Sequence, residues 1–136
     1  MAWVVDTCLL IDVASEDPAF ARATGELLEA RRANGLVACP VTIVELSPIF
    51  SGVWSDMEEF LRPTGVRSDE TWTQSDTKAA SIAWNAAAQR KRDGQDARRP
   101  VADILIGAFA LRFDGLLTRN PDDFKNVFPT LNLLQP

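Results

Sequence analysis

The chain has 136 residues, 46% of them hydrophobic and 24% charged, with a net charge of −5. These are the proportions of one ordinary globular domain, expected over residues 1–136 around a single core. The sequence contains no histidine, which excludes Ser-His-Asp and Cys-His machinery, His-ligated zinc or haem, and imidazole acid–base chemistry.

No run of about 18 apolar residues, no basic-plus-apolar leader and no dinucleotide or P-loop string is present, so a cytoplasmic protein without membrane contact is expected. Cys8 and Cys39 lie in or beside apolar runs, far apart, and are expected to be buried thiols.

Trp3 to Val5 read as a short buried strand that opens onto Asp6 and Thr7 before the apolar Leu9 to Ile11. An acid at the carboxyl end of a strand occupies the place where open α/β sheets bind ligands. It is equally suited to cap the next helix. Asp17-Pro18 predicts a helix start, followed by Phe20, Ala23, Leu27, Leu28 and Ala30 at helical spacing and closed by Gly35. Leu36 to Cys39 predicts a second buried strand, and strand–helix–strand predicts a parallel sheet.

Thr42 and Glu45 have the spacing of a capping box, which gives Glu45 a structural explanation. It is also a second acid just past a strand. Ser47 to Arg62 predicts helical pieces broken at Pro48, with a further capping box at Ser55 and Glu58. Thr64 to Asp69 reads as a loop, and a long helix is expected from about Glu70 to Lys91 with Trp72, Ala80, Ala83 and Trp84 on its apolar face. The segment from Arg90 to Pro100 holds five of the fourteen basic residues within ten positions and reads as a solvated loop.

Asp103 interrupts an otherwise apolar run from Val101 to Leu111, in the first turn after Pro100, where the helix dipole favours an acid. Gly107 and Ala108 are small enough to admit a close neighbour. Gly115 to Thr118 predicts a third strand, ending in Arg119-Asn120-Pro121-Asp122-Asp123-Phe124, and Thr130 to Leu134 an edge strand. Parallel connections bring such strand ends to one edge of the sheet. Carboxylates gathered there raise one another's pKa unless a cation neutralises them, and oxygen-only ligands select Mg²⁺ or Mn²⁺. Such a site suits attack of water on a phosphodiester, with the basic segment holding a nucleic-acid backbone.

Val4-Val5-Asp6-Thr7, Glu45 after Pro40-Val41-Thr42, Ala102-Asp103-Ile104-Leu105-Ile106-Gly107-Ala108 and Leu116-Leu117-Thr118-Arg119-Asn120 to Asp123-Phe124 together resemble a PIN domain of the VapC toxin type. The resemblance spans nearly the whole chain. It implies a three-layer α/β/α fold with a central parallel sheet, Mg²⁺- or Mn²⁺-dependent endoribonuclease activity, RNA as substrate, homodimers, and neutralisation by a cognate antitoxin.

Position by position, the resemblance makes Asp6, Glu45 and Asp103 metal-binding catalytic carboxylates and Thr7 and Thr118 supporting hydroxyls. Asp123 is taken as the fourth acid, with Asn120 as a second candidate beside the tandem Asp122. Arg98, Arg99 and Arg119 are candidates for substrate phosphates. The chain departs from the family in a shortened stretch between Asp103 and Thr118 and in Ser47-Pro48 after Glu45. A PIN-type RNA-processing nuclease without an antitoxin, and a binding module that performs no chemistry, are the other readings. Trp54, Trp72, Trp84 and the Ile49-Phe50 pair are expected in the core, with an antitoxin groove as the alternative.

Overall fold

The computed structural model of the chain describes residues 2–92, 94 and 101–136. Five short strands form one parallel sheet in the order β3-β2-β1-β4-β5: β1 (Trp3–Val5), β2 (Leu36–Val37), β3 (Val66–Arg67), β4 (Gly115–Leu117) and β5 (Leu133–Leu134). The chain starts at the centre, builds outward through β2 and β3, then returns to the other side of β1. The point where its direction reverses therefore lies between β1 and β4.

Side chains of successive strand residues point to opposite faces. Val4, Val37 and Leu116 face one helical layer, while Val5, Leu36 and Leu117 face the other. The first layer is α5 (Gln74–Arg92), α6 (Val101–Ala110) and the short α7 (Asp122–Lys125), which contribute Ala80, Ala83, Ile104, Phe109 and Phe124. The second is α1 (Thr7–Ala14), α2 (Ala21–Arg31), α3 (Pro40–Leu46) and α4 (Trp54–Thr64), contributing Leu9, Leu10, Leu28, Ile43, Leu46, Met57 and Leu61. This is the expected α/β/α arrangement. No helix among the described residues is long and apolar enough to cross a membrane.

Several local expectations are corrected. Helix α3 begins at Pro40, not after Thr42, so Thr42 is an interior, fully buried residue and Glu45 closes no capping box. Proline suits that start because the first helical N–H has no intrahelical partner. Ser55 likewise lies inside α4, whose N-cap is Val53. The Thr64 to Asp69 stretch contains β3, entered through Gly65 at φ 76°; two residues are too few to show an alternating pattern. Asp17 accepts the N–H groups of Ala19 and Phe20 at 2.8 and 3.1 Å, one turn ahead of α2.

The basic segment is helical through Arg92, which places Arg90, Lys91 and Arg92 in the last turn of α5, where the dipole favours cations. Arg98 and Arg99 lie outside the described residues. Trp72 is half-buried and stacks on Phe109 at 6.2 Å between ring centres. Trp54 and Trp84, by contrast, are 58% and 46% exposed, and Ile49 is exposed too.

Candidate active site at the switch point

Asp6 and Thr118 each stand one residue past the carboxyl ends of the neighbouring strands β1 and β4. Backbone bonds hold both corners: Asp6 N–H to Leu117 O and Thr118 N–H to Leu134 O, each 2.9 Å. The sheet thus puts an acid and a hydroxyl side by side in the crevice where parallel α/β sheets take ligands.

Asp6 is only 6% exposed. Its Oδ1 accepts the Thr7 N–H at 2.8 Å, and its Oδ2 accepts the Thr118 hydroxyl at 2.7 Å and the Cys8 thiol at 3.4 Å. It is also the N-cap of α1. The capping role and the strand-end role therefore belong to one residue. Burial raises its pKa above the usual 3.8 and is the largest influence. The bonds from Thr118, Cys8 and Thr7 oppose the rise, and the charge of Glu45 adds to it.

Thr7 joins the second acid to the first. Its hydroxyl oxygen is 2.7 Å from Glu45 Oε1 and 2.9 Å from the Thr42 hydroxyl. Glu45 itself is exposed, whereas Thr7, Thr42 and Thr118 are all buried. Buried threonines thus link the two carboxylates: Thr118 and the Thr7 N–H hold Asp6, and the Thr7 hydroxyl, itself in contact with Thr42, reaches Glu45. The Cys8 thiol, pushed up to about 12 by burial and then by Asp6, stays protonated and acts as a donor. Cys39, pushed up to about 11 by burial, is likewise neutral.

Asp103 is half-buried in the first turn of α6, a helix packed against α3. Asp123 is exposed in the first turn of α7, its N–H bonded to Asn120 O at 3.1 Å. Exposed Asn120 donates its own N–H to the Thr118 hydroxyl oxygen at 3.0 Å. Arg119 meets a protein carboxylate: its Nε and a terminal nitrogen grip Asp12 at 3.0 Å each. Sequence reasoning passed over Asp12, Thr42 and Cys8. The available signal for Asp12 was an acid set inside the apolar run of α1.

The model of the PIN domain family matches residues 3–128. The chain belongs to the PIN domain family. No curated protein matches it. Among solved structures, this PIN domain is similar to VapBC2 from Rickettsia felis, determined bound to a DNA fragment from their promoter. The TM-score is 0.69 at 18% identity, covering 99% of this chain and 98% of that one. At that identity the likeness concerns the fold.

Among the described residues no three carboxylate or thiol side chains come together around one point. Mg²⁺, however, is commonly held by one or two carboxylates with water completing its shell. Asp6 and Glu45 supply that minimum with hard oxygen donors, and a buried acid whose pKa is raised partly by a second acid is one that a cation would relieve. The residues fit the ion.

Proposed function

We propose that this PIN domain is a Mg²⁺- or Mn²⁺-dependent endoribonuclease and the toxin of a toxin–antitoxin pair, working as a homodimer. The observation that carries the reading is the Asp6–Thr7–Glu45–Thr118 constellation at the switch point of a PIN fold. Asp6 and Glu45 are assigned to the ion, and Asp103 and Asp123, which the structure does not gather with them around one point, are kept as the further carboxylates of the family pattern. A divalent ion there would supply positive charge against the negative charge developing on the phosphodiester and would acidify water.

The chain's own residues set the geometry. Thr118 and the Thr7 N–H hold the Asp6 carboxylate in one orientation, and the Thr7 hydroxyl does the same for Glu45. Immobilised acceptors need no reorganisation as charge develops, which is the source of much electrostatic catalysis. Arg98 and Arg99 are assigned to substrate phosphates.

The antitoxin reading draws on the VapBC2 assembly of the Rickettsia felis structure. It is supported by Val44, Ile49, Val53 and Trp54, apolar side chains exposed within one eleven-residue stretch from α3 to α4. The test is to incubate the purified chain with total RNA, with Mn²⁺ or with chelator, and to map the new ends. Cleavage that requires the ion and disappears in a folded Asp6→Asn variant is expected. Turnover undiminished in that variant, or no cleavage by the wild type with either ion, would overturn the reading.

A further inference from the structure

Two successive residues beyond β4 reach back to the same helix. Thr118 donates to Asp6 at the N-cap of α1, and Arg119 grips Asp12 near its other end. The two anchor points are six residues apart, about 9 Å along the axis. Asp12 is 2% exposed, and its Oδ2 also lies 3.5 Å from the Thr24 hydroxyl. The outer face of the guanidinium is covered by the Phe20 ring, with its central carbon 4.1 Å from the ring centre. A planar fork on a carboxylate fixes direction as well as distance, which a lysine does not.

The hydroxyl of Thr118 has one proton and three neighbours: Asp6, the Asn120 N–H and, at 3.9 Å, the Cys8 sulfur. Asn120 N–H donates into its oxygen at 3.0 Å, so the proton is directed to Asp6 Oδ2 at 2.7 Å. Arg119 is the residue between Thr118 and Asn120, and its carbonyl also accepts from Gln135 at 3.4 Å.

We propose that Asp12 and Arg119 are a positioning pair that holds the Thr118–Asn120 segment so that Thr118 orients the Asp6 carboxylate, and that Arg119 does not contact the substrate. This rests on the nuclease reading of Asp6 given above. Residues that support a ligand from behind typically change activity by about 10–100-fold when altered. The guanidinium has its preferred carboxylate partner already, so its charge is largely neutralised before RNA arrives.

Asp12→Asn, Arg119→Lys and the double variant, each checked for folding by circular dichroism, are compared in Mn²⁺-dependent cleavage of an RNA oligonucleotide. A fall of kcat by about 10–100-fold with unchanged KM and unchanged salt dependence is expected. The double variant should be no worse than the weaker single one, because one link is broken in all three. A raised KM in Arg119→Lys, with Asp12→Asn at wild-type activity, would make Arg119 a phosphate contact and overturn the proposal.

Amide hydrogen exchange provides a readout that needs no catalysis. The Asn120 N–H should exchange at least about tenfold faster in the variants while the Thr118 N–H, bonded to β5, is unchanged. Unchanged Asn120 exchange in a folded variant overturns the proposal. Should wild-type protein cleave no RNA, the nuclease reading fails and the exchange result still decides the positioning role. Arg119→Lys, which keeps the charge beside Asp12, carries the measurements if Asp12→Asn does not fold.

Discussion

Thr118→Val removes one hydroxyl and leaves nearly the same volume, so it isolates a single bond in the candidate site. The side chain is fully buried, and its hydroxyl is 2.7 Å from a carboxylate that is itself 6% exposed. A hydrogen bond to a charged group contributes about 1.5–3 kcal/mol, and the isosteric methyl leaves no cavity to add to the loss. For a chain of this length a kilocalorie corresponds to roughly 3–4 °C in Tm, so the variant should melt about 5–10 °C below wild type at pH 7.

The pH dependence has a definite sign. The folded-state pKa of Asp6 is already raised, so its contribution to stability is present below the ordinary carboxylate value of 3.8 and is lost as pH rises through the folded value. Thr118 opposes that rise, and removing it pushes the pKa higher still. The gap between variant and wild type is thus full where Asp6 is ionised and narrows near pH 3. Melting curves by circular dichroism at both pH values measure it, and the acid limb of cleavage should move to higher pH. A gap equally large at pH 3 and pH 7 would place the loss in packing and refute the argument, as would a gap below about 2 °C at pH 7.

Asp76→Asn breaks a buried pair in which Arg112 donates to the carboxylate at 2.7 and 2.9 Å and Asp76 accepts the Thr73 N–H at 2.9 Å. Burial raises the pKa of Asp76, but the bonds from Arg112 and Thr73 more than offset this and leave it lowered. Its stabilisation is therefore present above the unfolded pKa and lost as pH falls through the folded one; the variant should lose about 3 kcal/mol at pH 7 by urea titration and much less in acid. Gly107→Ala would place a methyl 2.3 Å from the nearest ring carbon of Phe128. The overpacking, toward the upper end of about 1–3 kcal/mol, outweighs the roughly 1 kcal/mol of helix propensity, and a Tm lower by roughly 7 °C is expected; a higher Tm would show that the ring moves aside freely.

The central strands and the long helices were legible because burial on both faces leaves continuous apolar runs such as Trp3 to Val5 and Leu36 to Cys39. The β3 edge was not, since Val66-Arg67 is held by its neighbour in the sheet and has no pattern of its own. Asp6 stood out as an acid ending an apolar run, and its link to Thr118 followed once β1 and β4 were paired. Glu45 was harder to judge. Its spacing from Thr42 imitated a cap, and only the start of α3 at Pro40 shows both side chains turned toward Thr7. The ion pair of Arg119 was hidden for a related reason: its carboxylate partner lies 107 residues away in sequence. Long-range side-chain pairs leave no local trace.

Both outermost strands, β3 and β5, pair over only two residues each. An incoming chain finds there almost no row of free N–H and C=O groups to extend, which guards against strand-by-strand aggregation. A second polypeptide that meets the domain at these edges would find side chains to recognise in place of a backbone ladder.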